Sequence, residues 1–306
     1  MGRRTSTSWS LVVMAMAIVT AIATGSPAIH AQRPAVGDLD GIWTYATMTP
    51  LERPRELAAK ATLTPAEAAE YERQTLARQA TTNNTAGPDW WDPGTRFLTN
   101  GRTSLIVDPA DGRVPAFTAE AQQRVAARAQ ARRARGSADG PEDRALNERC
   151  LNWSVAGPPM LPGVYNNNVQ IIQTRDDVVI VNEMIHDARI VPMDGRAHGT
   201  VPRWMGDSRG RWEGHTLVVD TVSFTDKTAF RGSGEHLHLV ERFTRVDADT
   251  IEYRFTADDS STWTRPFTGV FPMKKTAGLI YEYACHEANE RSMVGMLRGA
   301  RAQEKF

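Results

Sequence analysis

Imidazole, carboxylate and guanidinium groups crowd one stretch of this 306-residue chain, Glu235-His236-Leu237-His238-Leu239-Val240-Glu241-Arg242-Phe243. Read as a strand, it places His236, His238 and Arg242 on one face and Leu237, Leu239, Glu241 and Phe243 on the other. Two chemistries follow. If the histidine face lines a polar lumen, His-x-His with a third ligand such as His286 or Glu287 suits a metal ion. If the other face turns inward, Glu241 lies among apolar side chains. Burial there raises a carboxyl pKa towards the range useful for proton transfer, unless Arg242 or another cation compensates. The plain alternative for the two histidines is a solvated outer face.

His186, His198, His215 and His286 fall in the same half, so imidazole chemistry belongs after residue 185. His186-Asp187 reads as a turn with His186 as a proton carrier, because along a strand the two adjacent side chains would diverge. Trp204 to Gly214 reads as a tight turn at Ser208-Arg209-Gly210 between two indoles. Asp207 and Glu213 then stand beside Trp204 and Trp212, rings suited to stacking on a flat ligand or sugar. An Asp-initiated turn with both rings packed down is the structural alternative. Tyr165 and Asn167, within Tyr165-Asn166-Asn167-Asn168, offer polar groups to a substrate oxygen or else satisfy their own loop. Ser154, Ser223 and Ser233 lack a Gly-x-Ser-x-Gly setting, and no phosphate-cradling glycine loop occurs.

These groups need a scaffold, and the periodicity describes one. From Val169 onward the period is two, with strands over 169–174, 178–183, 188–193, 217–221, 237–243, 251–256, 263–273 and 281–286. Short turns join them at Asp176-Asp177, Asp194-Gly195, Ser208-Arg209-Gly210 and Asp247-Ala248-Asp249. Before residue 150 the chain is different. Thr64-Pro65-Ala66-Glu67 opens a helix with a capping Thr, and Thr118 opens another that runs to Arg135 and carries a basic stripe at Arg124, Arg128 and Arg132.

Composition bounds the class. Lys plus Arg and Asp plus Glu number 36 each, so the balance argues against a dedicated nucleic-acid binder. Arg3 and Arg4 precede an apolar run from Leu11 to Ala23, and small residues follow to Ala28 and Ala31. That is the layout of an export signal over residues 1–31, and the run is shorter than the roughly 20 residues of a spanning helix. Export favours a disulfide between Cys150 and Cys285. The organisation expected is signal 1–31, a first barrel strand with helical and loop segments over 32–150, and a β-barrel region with a short C-terminal helix over 151–306.

Gly41-Ile42-Trp43, following Asp38-Leu39-Asp40, is similar to the Gly-x-Trp that opens the first strand of lipocalin-like barrels. From Asp40 to its end the chain also resembles a family of secreted bacterial proteins with no assigned activity. The blocks carrying this are Ser104 to Pro109, Trp204-Met205-Gly206-Asp207 with Trp212-Glu213-Gly214, Phe224 to Thr228, Leu237-His238 with Glu241-Arg242-Phe243, and Tyr283-Ala284-Cys285-His286-Glu287. That family pattern holds a histidine at His238 and none at His236, which implies a role for His238 without metal.

The expected fold is therefore mainly β with α additions. An antiparallel meander forms a lipocalin-like barrel or strongly curved sheet, and the N-terminal helices pack outside. The expected function is an exported enzyme acting on a small organic molecule in the barrel by metal-independent, cofactor-free proton transfer. His238 serves as acid or base, Glu241 as its tuned partner and Arg242 as stabiliser of negative charge; Asp207 and His186 assist at the mouth. The alternative is a non-catalytic carrier of an apolar ligand, with Trp204, Trp212 and Trp263 at its entrance. Neither reading involves nucleic acid or stable membrane insertion after signal cleavage.

Overall fold

The computed structural model describes residues 37–82, 94, 96–136, 139–227, 230–289 and 293–303. The export-signal reading of residues 1–31 lies outside them. The strands are β1 (Gly41–Thr44), β2 (Ile106–Asp108), β3 (Asn168–Gln173), β4 (Asp177–Asn182), β5 (Ala188–Pro192), β6 (Asp207–Glu213), β7 (Thr216–Val222), β8 (His238–Asp247), β9 (Thr250–Asp258) and β10 (Phe267–Lys275). The helices are α1 (Pro65–Thr82), α2 (Ala119–Arg133), α3 (Cys285–Asn289) and α4 (Gly295–Gln303). Both expected N-terminal caps form. Glu67 N donates to Thr64 Oγ1 at 3.3 Å while Thr64 N donates to Glu67 Oε2 at 3.0 Å, and Ala121 N donates to Thr118 Oγ1 at 3.1 Å.

The strands form one antiparallel sheet in the order β5-β4-β3-β1-β10-β9-β8-β7-β6, with β2 pairing the start of β10. It curls into a nearly closed barrel. The edge strands β5 and β6 meet by side-chain contact, outside the hydrogen-bonded order. Gly210 permits the approach, since a Cβ there would lie 2.3 Å from Met193 Sδ and 2.9 Å from Val191 Cγ1. The period of two sets the faces. On β9, Ile251, Tyr253, Phe255 and Ala257 are buried between partly exposed Glu252, Arg254 and Thr256. Rings in contact occupy the middle: Tyr253 lies 5.0 Å from both Phe243 and Phe271, and Phe267 lies 5.0 Å from Trp263.

Three local expectations are corrected. Ser208-Arg209-Gly210 is strand, not turn; β6 pairs through Asp207↔Val222 to Glu213↔Thr216, and the reversal falls at Gly214, whose φ of +60° glycine adopts without strain. Trp263 precedes β10 in an isolated bridge to Phe117 rather than in the strand itself, and its backbone N–H donates to Asp259 O at 2.8 Å. Tyr281, Tyr283 and Cys285 alternate in sequence yet form no strand. That segment is an irregular strap leading into α3, with Tyr281 N bonded to the Glu183 side chain instead of a neighbouring strand.

One charged pair crosses the interior. Arg189 of β5 donates through Nη1 and Nη2 to Glu241 of β8 at 2.5 and 2.9 Å, with the two side chains 2% and 0% exposed. Tyr253 donates to Glu241 Oε1 at 2.7 Å, and Met160 N donates to the Tyr253 hydroxyl at 3.1 Å. Burial disfavours the Arg189 charge, but Glu241 outweighs it and holds the guanidinium protonated. Removing one partner strands the other in the core. Glu241→Gln is expected to lower the unfolding free energy by about 3–5 kcal/mol in a urea titration, and Arg189→Met combined with Glu241→Leu to recover most of it. A single variant as stable as the parent would refute this account.

Candidate functional site

The expected catalytic trio does not converge. Alternation along β8 buries Leu239, Glu241 and Phe243 and turns His238 and Arg242 outward. His238 Nε2 lies 2.9 Å from Asp220 Oδ2, and Arg242 Nη2 donates to Glu213 Oε2 at 2.7 Å. Glu241 stands on the opposite side of the sheet, committed to Arg189 and Tyr253. The other Asp220 oxygen lies 2.9 Å from His198 Nε2, so two imidazoles flank one carboxylate. His198 is among the clustered histidines of the sequence, but the sequence assigns it no role, because it comes from the irregular connection between β5 and β6, where no periodicity places a side chain.

Asp207 is buried and braces that connection. Its carboxylate accepts from Gly199 N at 2.7 Å and pairs with Arg209 at 2.8 Å and Arg203 at 3.4 Å. Burial acts to raise its pKa, and these partners outweigh burial and hold it below the usual carboxylate range. The tryptophans separate. Trp204 stands beside the junction of β5 and β6, Trp212 covers Gly37, and Trp263 is 1% exposed within the core. Asn167 is buried too, bonded through its amide to both backbone groups of Gly163.

Tyr165 and His186, far apart in sequence from the strap, are brought to it. A cleft of about 810 Å³ is lined by Asn147, Glu148, Trp153, Tyr165, Asn166, Asn168, Glu183, Tyr281, Glu282, Tyr283, Cys285 and Asn289. The Cys150–Cys285 disulfide, spanning 135 residues, ties the strap to the loop that supplies Asn147 and Glu148. Glu183 fixes the strap from the barrel side, its Oε1 accepting from Tyr281 N at 3.0 Å and its Oε2 from Asn168 Nδ2 at 2.9 Å. His186 Nδ1 lies 3.1 Å from Tyr283 O; a carbonyl only accepts, so Nδ1 carries the hydrogen.

The aromatic wall is ordered. Tyr165 and Tyr283 are parallel within 1°, their centroids 6.4 Å apart, and Trp153 meets Tyr165 edge-on at 5.8 Å. Burial, then the hydrogen bond to Tyr283, pushes the Tyr165 phenol pKa up and keeps it neutral. Four non-glycine residues in the left-handed region lie around this cleft: Cys150, Asn166, Ile185 and His186, with φ of 54°, 54°, 59° and 48°. For β-branched Ile185 that conformation is strained, and the surrounding contacts hold it.

Beneath His186, Asp187 is half-buried with Oδ2 lacking a hydrogen-bond partner. Burial pushes its pKa up to about 6, against the opposing pull of His186 and Arg189. Among the described residues no group of three His, Cys, Asp or Glu side chains is arranged to hold a metal ion. Among them no helix is long and apolar enough to cross a membrane. Comparison with protein-family models, with curated proteins and with solved structures returned no match.

The Asp187 shift has a definite sign. Its folded pKa exceeds the unfolded value, so the group's contribution to stability declines as pH rises from about 4 to about 6. Asp187→Asn is expected to stabilise the protein at pH 7.5 by on the order of 1–2 kcal/mol, the gain shrinking towards pH 4. Urea unfolding at the two pH values checks it, and a pH-independent difference would refute the assignment.

Proposed function

We propose that this is an exported binding protein that holds a small, hydroxyl-bearing organic molecule in the strap cleft without altering it. The observation that carries this reading is the parallel Tyr165–Tyr283 pair, with Trp153 beside it and amides and carboxylates around it. Flat rings suit the C–H face of a sugar-like ring. Asn147, Asn166 and Glu282 on the cleft wall present donors and acceptors for its hydroxyls. A volume of about 810 Å³ suits a mono- to disaccharide-sized guest, and the acidic rim disfavours anions. The bonded cysteines support export, since such bridges persist in oxidising compartments.

Calorimetric titration with a panel of neutral mono- and disaccharides is expected to find at least one saturable ligand. Tyr165→Ala and Tyr283→Ala should each weaken it by roughly tenfold, measured well below a melting temperature that the lost ring contacts lower but that still marks a cooperative transition. No bound saccharide, or variants that bind like the parent, would overturn the reading.

A metal-independent acid–base enzyme is the second reading, favoured by the His198–Asp220–His238 array. Here His238 exchanges protons and Asp220 orients it, on the outer face of the barrel. Turnover of an identified substrate that His238→Ala abolishes and Tyr165→Ala spares would favour this alternative.

A further inference from the structure

The junction of β5 and β6 is chemically distinct from the strap cleft. These two strands end the sheet order, and between them lies a second cleft of about 480 Å³. Arg189, Arg196, Arg203 and Arg209 line it, with Trp204 on one wall and Asp207 as the carboxylate among its lining residues. In direct pairs these arginines outnumber their carboxylates, while Asp187 and Asp177 act on Arg189 and Arg196 from further off. Arg203 and Arg209 share Asp207, Arg196 pairs with Asp194 at 2.5 Å, and Arg189 pairs with Glu241. Four guanidinium groups thus share three carboxylates at bonding distance.

Exposure orders the cations by task. Arg196 and Arg203 have side chains 60% and 62% exposed, so both stand at the open side of the cleft, Arg196 with its charge shared with Asp194. Arg203 holds Asp207 only loosely, at 3.4 Å, and Arg209 satisfies that carboxylate at 2.8 Å. Deeper in, Arg189 is 4% exposed; its Nη atoms are both committed to Glu241, while its Nε has no hydrogen-bond partner. A buried N–H donor without an acceptor is costly.

We propose that this junction is a second binding site, for the carboxylate of a small organic acid whose apolar or aromatic body lies against Trp204. Guanidinium groups match a carboxylate in charge and in the spacing of its oxygens, and an indole face suits a planar body. The ligand class is opposite in charge preference to that of the acid-rimmed strap cleft, and the proposal stands independently of it.

Benzoate is the probe, with benzyl alcohol as the uncharged control and inorganic phosphate as the anion without a body. By calorimetry at low salt, benzoate is expected to saturate the protein below about 10 mM and benzyl alcohol not to bind. Arg196→Gln combined with Arg203→Gln should weaken benzoate at least about tenfold. Arg203→Lys should weaken it less, because it keeps the charge and loses only the fork. Both positions are exposed, and a matching melting temperature will confirm that the variants are folded. Tyr165→Ala should leave benzoate binding unchanged. Failure to saturate, equal binding by the double variant, phosphate binding as tightly as benzoate, or loss of benzoate in Tyr165→Ala would each overturn the proposal.

Discussion

The bidentate pair between Arg189 and Glu241 is the interaction on which the barrel's organisation turns. β5 is the last strand in the sheet order and shares no hydrogen-bonded ladder with β6, so its free edge needs another tie. Arg189 supplies one by reaching across the interior to β8. Two charges removed from water are tolerable only when geometry and additional hydrogen bonds compensate their desolvation, and here Tyr253 completes the acceptor while itself receiving Met160 N. Because strand residues alternate, placing Glu241 inward places His238 and Arg242 outward. The outer array around Asp220 therefore follows from the inner pair.

A second constraint shapes the functional end. The segment after β10 does not join the sheet; it crosses as a strap fastened by the Cys150–Cys285 bridge, by Glu183 and by the His186–Tyr283 contact. In the chain-entropy description, a bridge closing a loop of this length is worth about 5 kcal/mol through the unfolded chain. The same fastening stacks Tyr283 against Tyr165 and gathers left-handed residues around one cleft. Structural restraint and binding surface are here the same set of contacts.

Electrically, the neutral formal charge conceals a division. Carboxylates of Glu148, Glu183 and Glu282 line the strap cleft, while arginines dominate the junction of β5 and β6. Two openings with opposite charge preference admit different guests. Ring contacts among Phe243, Tyr253, Phe255, Phe267 and Phe271 occupy the barrel's middle, so both openings lie outside that aromatic core.

Local periodicity in the sequence encodes much of the architecture. The strands around Ile251–Phe255 and Leu237–Phe243, the caps at Thr64 and Thr118 and the pairing of two cysteines depend on neighbours in the chain or on residue type, whereas the sequence allows either face of 237–243 to turn inward. Tertiary structure alone decided who meets whom. Arg189 and Glu241 are 52 residues apart, Tyr165 and Tyr283 are 118 apart, and His198 enters from an irregular connection. Alternation specifies a side chain's face but not which strand lies opposite, and it misled at Tyr281 to Cys285, where a disulfide and a carboxylate took the place of a strand partner. Composition and spacing therefore determined a mostly antiparallel barrel; long-range pairing, which no local pattern encodes, decided where its binding surfaces form.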